Sequence, residues 1–72
     1  MIEVSYDPKA DALYIRLRHA KIDESDEVST GMIVDYDSHG KPIGVEVLDA
    51  SRVLGGPPHL QIDLAPLTIS KR

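Results

Sequence analysis

Alternation of apolar and polar residues with a period of two is the feature that most restricts the fold of this chain. The first alternating set is Ile2, Val4 and Tyr6, and the second is Leu13, Ile15 and Leu17. This alternation is typical of β-strands that bury one face. Between the two sets, Asp7-Pro8 favours chain reversal because proline presets φ for a turn. The sequence therefore predicts a hairpin that pairs Ile2 with Leu17, Val4 with Ile15 and Tyr6 with Leu13.

A second hairpin is predicted farther along the chain, with Met32, Val34 and Tyr36 on its first strand and residues 42–48 on its second. Its turn allows two registers. Asp37 and Gly40 suit a type I turn with a glycine bulge, and this three-residue loop pairs Val34 with Gly44.

The other register has a two-residue loop of His39 and Gly40. It pairs Val34 with Val45, Tyr36 with Ile43 and Met32 with Val47, and it sets Pro42 opposite Asp37. We favour this register because it gathers six apolar side chains on one face. Gly44, without a side chain in mid-strand, would let a tyrosine or a partner backbone approach closely.

The remaining segments predict little regular structure. Residues 20–30 read as an acidic connection with at most a short edge strand around Val28. Residues 49–54 suit one or two helical turns with Asp49 or Ser51 as N-cap, and Gly55-Gly56-Pro57-Pro58 stops the helix. A last strand is predicted at 60–64, and 67–70 form a further short strand or a tail.

The predicted fold class is therefore mainly β: a small antiparallel sheet of two hairpins plus a C-terminal strand, with a short helical turn near residues 49–54. Residues 1–72 form a single domain, because 72 residues are too few for two. Its core spans 2–54, and 55–72 form a Gly/Pro linker and the C-terminal strand. That strand could fold back onto its own sheet or be exchanged between chains.

Size and composition favour self-association. A chain this short buries only about 60% of its unfolded surface, and without cysteine it has neither disulfides nor thiolate zinc sites. One apolar sheet face needs a second layer, so we expect a homodimer or higher oligomer. The net charge of −4 argues against nucleic acid. No segment signals export or membrane insertion, so we expect a cytoplasmic protein, without a cofactor.

Three segments carry a family resemblance. They are Val4-Ser5-Tyr6-Asp7-Pro8-Lys9-Ala10-Asp11-Ala12-Leu13-Tyr14-Ile15-Arg16-Leu17, Gly31-Met32-Ile33-Val34-Asp35-Tyr36-Asp37 and, after Gly40, Gly44-Val45-Glu46-Val47-Leu48-Asp49-Ala50-Ser51. Over about residues 2–54 the chain resembles the family catalogued as domain of unknown function 2283. The resemblance implies a small, mostly β, prokaryotic-type cytoplasmic protein, with no reaction, substrate or catalytic residues. Some similar proteins resemble components of two-gene modules beside a toxin-like protein, which favours partner binding.

The second hairpin also contains a partial calcium-loop pattern. Asp35, Asp37, Gly40 and Glu46 match positions one, three, six and twelve of an EF-hand, whereas His39 stands where an oxygen ligand is usual. An EF-hand requires flanking helices, and the flanks here are strand-like. Asp35, Asp37 and Glu46 thus remain weak metal candidates beside the simpler interpretation, an Asp-rich turn closed by glycine.

Carboxylates at the two turns are the other candidates. If the turns converged, Asp7, Asp11, Asp35 and Asp37 could bind a ligand or a hard cation, or act as an acid–base pair. The simpler interpretation is that Asp7 and Asp37 cap turns while Asp11 and Asp35 are solvated. The histidines, at positions 19, 39 and 59, lack partners at metal-ligand spacing.

No catalytic set emerges, so an enzyme is disfavoured without being excluded. The sequence favours an acidic protein-interaction module that self-associates through its sheet and could bind a basic protein partner. The alternative is a metal- or small-ligand-binding protein, or a hydrolase-like enzyme, built on the carboxylates at the turns.

Overall fold

The structure is a computed structural model that describes residues 2–56, 58–59 and 61. Five antiparallel strands form one open sheet, followed by a short helix. The elements are β1 (Glu3–Asp7), β2 (Ala12–Arg16), β3 (Glu24–Ser29), β4 (Met32–Tyr36), β5 (Pro42–Val47) and α1 (Ala50–Val53). This confirms the predicted fold class, mainly β with one short helical segment. The predicted strand at 60–64 and the segment 67–70 lie outside the described residues, apart from Gln61.

The first hairpin has the predicted register. Val4 pairs with Ile15 and Tyr6 with Leu13, so the large apolar side chains of both strands share a face. The predicted Ile2–Leu17 pair is not part of this ladder. Instead, the Leu17 backbone N–H donates to the Ile43 carbonyl on β5, at 2.7 Å. The chain leaves the hairpin there and turns across the end of the sheet.

The second hairpin combines the turn of one predicted register with the strand pairing of the other, and a bulge makes this possible. At the turn, the Gly40 N–H donates to the Asp37 carbonyl at 3.0 Å and Gly40 has φ of +78°, as in a type I turn with a glycine bulge. Farther from the turn, Val34 pairs with Val45 and Met32 with Val47, as predicted for the other loop. The two registers differ by one residue, which a bulge in β5 absorbs.

That bulge corrects two predicted pairs. Tyr36 pairs with Pro42 rather than with Ile43, and Asp37 is not opposite Pro42, because Ile43 is the extra residue on β5. Ile43 is fully buried, and its carbonyl accepts from both Leu17 and Arg18. The extra residue therefore anchors the chain that leaves β2.

β2 and β5 join the two hairpins, giving the strand order β1-β2-β5-β4-β3. Residues 17–23 connect β2 to the far edge of the sheet, passing the ends of β5 and β4. There the Asp23 N–H donates to the Tyr36 carbonyl at 2.8 Å, after which β3 pairs with β4. β3 is a strand of six residues, longer than the predicted short strand around Val28, because β4 offers it a full edge.

Candidate functional site

One face of the sheet is apolar, and no second layer covers it among the described residues. Residues paired across strands share a face, and this apolar face comprises Val4, Tyr6, Leu13, Ile15, Met32, Val34, Val45 and Val47. Val47 is buried, Val4 and Tyr6 are exposed, and the other five residues of the set are half-buried. The buried apolar residues of the described chain are Ile43, Val47 and Ala50, and the four-residue α1 is too short to cover the sheet.

The two edge strands differ in chemistry. On β1 and just before it, Ile2 is 64% exposed, Val4 36% and Tyr6 37%, which makes a continuous apolar stripe at the edge. On β3 every residue is exposed, and Glu24, Asp26 and Glu27 supply three carboxylates. Charges on an edge strand oppose pairing with another chain, whereas an apolar edge invites it.

The first predicted carboxylate pair, Asp7 and Asp11, organises the turn of hairpin 1. The Asp7 carboxylate accepts from the N–H groups of Lys9 and Ala10, at 3.0 and 3.4 Å, so it caps the turn as predicted. Asp11 adopts φ of +52°, a left-handed conformation that Asp tolerates better than most residues. This backbone position lets its side chain reach the start of α1.

Asp11 is not merely solvated, as the simpler interpretation held. Its carboxylate accepts the Ser51 hydroxyl at 2.6 Å and the Ser51 N–H at 3.0 Å, and its carbonyl accepts the Ala50 N–H at 2.9 Å. The Tyr6 hydroxyl donates to it as well, at 2.6 Å. Asp11 thus caps α1, while Asp49, the residue at the N-cap position, makes no side-chain capping bond.

These bonds change two pKa values. The Ser51 hydroxyl, followed by the Tyr6 hydroxyl, stabilises the charged carboxylate and lowers the pKa of Asp11. In turn, the hydrogen bond to Asp11 is the main cause that raises the pKa of Tyr6. The charged Asp11 side chain therefore connects the first hairpin to α1, the helix that follows the second hairpin.

Asp35 lies on the other face of the sheet and is 9% exposed. Its carboxylate accepts the Tyr14 hydroxyl from β2 at 2.8 Å and the Ser25 hydroxyl from β3. Gly44, directly opposite Asp35, leaves room for the Tyr14 ring to lie across β5. The prediction that Gly44 lets a tyrosine approach closely is confirmed, and burial, followed by Asp35, raises the pKa of Tyr14.

Asp37 closes the turn of hairpin 2, as predicted. Its carboxylate accepts the N–H groups of His39 and Lys41, at 2.8 and 2.9 Å, and pairs with the Arg18 guanidinium. The bond from Arg18, followed by that from Lys41, lowers the pKa of Asp37 to about 2. Sequence reasoning missed Arg18, Ser25 and Ser51 as partners because each lies far along the chain from its carboxylate.

Stability should therefore fall in acid. In the folded protein the pKa values of Asp11 and Asp37 lie below the ordinary value for aspartate, about 3.8. Their contribution to the free energy of unfolding is fully present above pH ~4 and is lost as the pH falls to about 2, where Asp37 becomes protonated. We expect the melting temperature, followed by circular dichroism from pH 5 to pH 2, to drop most in this window. Asp37→Asn should flatten that dependence, and an unchanged slope would contradict this role of Asp37.

The carboxylates do not converge. Hairpin 1 turns beside the Leu13–Val47 pair, whereas hairpin 2 turns beyond the Arg16–Gly44 pair, so the two turns lie at opposite ends of the sheet. Among residues 2–56, 58–59 and 61, no three His, Cys, Asp or Glu side chains are grouped to hold a metal ion. Glu46, the third metal candidate, is half-buried and pairs with Tyr14 and Ile33 in the sheet. Strands flank the calcium-like loop on both sides.

The histidines occupy separate places. His19 lies 3.4 Å from Glu3, and His59 is exposed. His39 lines a surface cleft of about 410 Å³ at the hairpin 2 end of the sheet. Ala20, Lys21, Asp23, Asp37 and Ser38 complete this cleft. Within this cleft, the Asp37 carboxylate already accepts hydrogen bonds from Arg18, His39 and Lys41.

The fold and its hydrogen bonds define a small antiparallel β protein with an open sheet, structural carboxylates and an apolar stripe along the β1 edge. Among the described residues, no helix is long and apolar enough to cross a membrane. The model of the family described as "Protein of unknown function (DUF2283)" matches residues 3–51, more than half of the chain. The chain belongs to this family. Comparisons with curated proteins and with solved structures found no match.

Proposed function

We propose that the protein is a self-associating protein-interaction module of the cytoplasm. The observation that carries the proposal is the apolar sheet face, on which Val47 alone is buried among the described residues. A single sheet leaves such a face in water unless another layer covers it, and burial of apolar surface contributes roughly 25 cal/mol per Å². Association between copies would supply the stabilisation that the small core does not.

The structural roles of the carboxylates favour a protein-interaction module over an enzyme. Each candidate at the turns, and Asp35 in the sheet, accepts hydrogen bonds that hold the fold together. A metal ion or substrate would have to displace these donors. The exposed carboxylates of β3 also favour a basic protein as partner. Glu24, Asp26 and Glu27 take part in no ion pair within the described chain, so their charges are available to such a partner.

The mass of the protein in solution tests self-association. Size-exclusion chromatography with light scattering, between 1 and 100 µM, should give a mass of at least twice the 7.9 kDa of one chain at the upper concentrations. A mass of one chain throughout this range would refute the proposal. Titration with Ca²⁺, Mg²⁺ and Mn²⁺ by calorimetry is the matched test of the metal alternative, and binding of any of these ions at micromolar affinity would favour that alternative instead.

A further inference from the structure

We propose that two copies pair through their β1 edges, antiparallel to each other, with Val4 on the two-fold axis. This inference rests on the proposed self-association and specifies the surface that carries it. The result would be one continuous ten-stranded sheet in which the apolar faces of both copies lie side by side; the pairing buries the β1 edges and does not itself cover that face.

The first reason is the contrast between the two edges. β3 carries three carboxylates that would repel the same strand of a second copy. β1 instead presents Ile2, Val4 and Tyr6, each more than a third exposed, at the edge opposite β3. Natural sheets protect their edges with charge, and an edge left apolar marks a pairing surface.

The second reason is that the charges on β1 are engaged. Glu3 lies 3.4 Å from the Arg16 guanidinium and 3.4 Å from His19, so its charge is balanced inside its own chain. Asp7 turns its carboxylate to the Lys9 and Ala10 N–H groups. Both acids thus have partners within their own chain.

The third reason is that β1 is complementary to itself in one register. Antiparallel pairing centred on Val4 sets Ile2 opposite the partner's Tyr6 and Glu3 opposite the partner's Ser5. All three apolar pairs then fall on one face. A contact between an aromatic side chain on one strand and a β-branched side chain on the next is favourable. Centring on Ser5 instead would set Glu3 opposite the partner's Asp7, and like charges directly opposite each other are destabilising.

A symmetric pair of this kind closes on itself. Because β1 is used by both copies in the same way, the dimer leaves two β3 edges outside, and their carboxylates oppose further growth. The charge distribution thus opposes extension of the sheet into a fibre through its β3 edges.

Cysteine cross-linking tests the edge and the register together, since the chain has no cysteine of its own. Residues opposite each other on antiparallel strands have Cα atoms about 4.5–5.5 Å apart, within the range that a disulfide spans. Val4→Cys should form covalent dimers under mild oxidation, seen on non-reducing gels, at least five times faster than two matched single variants. These are Ser5→Cys, on the other face of the same strand, and Asp26→Cys, on the opposite edge.

The outcomes separate this inference from the proposed function. If the unsubstituted protein is monomeric by light scattering, self-association itself fails. If it is a dimer but Val4→Cys cross-links no faster than the two controls, association occurs and the β1 pairing is overturned. Preferential cross-linking of Ser5→Cys overturns the Val4-centred register, and preferential cross-linking of Asp26→Cys overturns the choice of edge.

Discussion

Gly44→Ala is expected to be the most destabilising single methyl addition in the sheet. A Cβ at this position would overlap the Tyr14 hydroxyl, and it would lie 2.6 Å from Tyr14 Cζ and 2.9 Å from the Ile15 carbonyl oxygen. The Ile15 oxygen belongs to the backbone of the neighbouring strand and cannot move alone. The Tyr14 ring would have to leave, and its hydrogen bond to Asp35 would be lost with it.

The expected cost has two sources. Overpacking costs about 1–3 kcal/mol, and a buried polar group that loses its partner costs about 1–3 kcal/mol more. A domain of this size has a free energy of unfolding of roughly 4–11 kcal/mol, so the variant loses a large share of it. Urea denaturation followed by circular dichroism should show a clearly lower midpoint.

A double-mutant cycle separates the two contacts made by the added methyl group. Tyr14→Ala alone should destabilise the fold, but Gly44→Ala should cost less in the Tyr14→Ala background because the ring is no longer in the way. The remainder reports the contact with Ile15. Equal midpoints for Gly44→Ala and the unsubstituted protein would show that Tyr14 does not lie across Gly44.

Val4→Lys is expected to dissociate the self-associated protein. Val4 is 36% exposed and lies on the apolar face of an edge strand, so a lysine there should leave the single chain folded. In the β1-paired dimer the two Val4 side chains lie beside each other, so two charged side chains would replace two valines at the interface. Because only about a third of Val4 is left to bury, losing it from both copies removes about 1–2 kcal/mol, which weakens a dimer roughly tenfold, and the two lysine charges weaken it further.

Ser5→Lys is the matched control for this prediction. The same residue type is introduced one position along the same strand, but on the opposite face, where Ser5 pairs with Tyr14. Light scattering at 100 µM should give one-chain mass for Val4→Lys and the mass of the unsubstituted protein for Ser5→Lys. Circular dichroism confirms that both variants are folded. Equal masses for the two variants would place the association surface away from this face.

Local sequence predicted the hairpins because their determinants lie within a few residues of each other. The pairs Val4–Ile15 and Val34–Val45 follow from period-two alternation, and the Asp37–Gly40 turn follows from turn chemistry. The conflict between the two registers of hairpin 2 could not be resolved from sequence. Its resolution was a bulge at Ile43, which the chain leaving β2 holds through two hydrogen bonds to the Ile43 carbonyl.

The candidate site was predictable as a set of residues but not as a set of roles. Asp7 and Asp37 cap turns as expected, since a capping Asp bonds N–H groups two to four residues away. Asp11 and Ser51 are 40 residues apart, and no local pattern indicates that one caps the helix of the other. β3 is also longer than the sequence predicts, because its acidic residues are poor strand formers and form a strand only by pairing with β4.

Sequence alone therefore determined the class of this protein: a small antiparallel β protein, with two hairpins, a short helix and one apolar face. Period and turn chemistry act over a few residues, so they can be read from the chain directly. Only the tertiary structure decided the strand order, the opposite positions of the two turns and the partners of each carboxylate. These depend on the pairing of β2 with β5, a contact between distant segments that closes a long loop and that no local signal encodes.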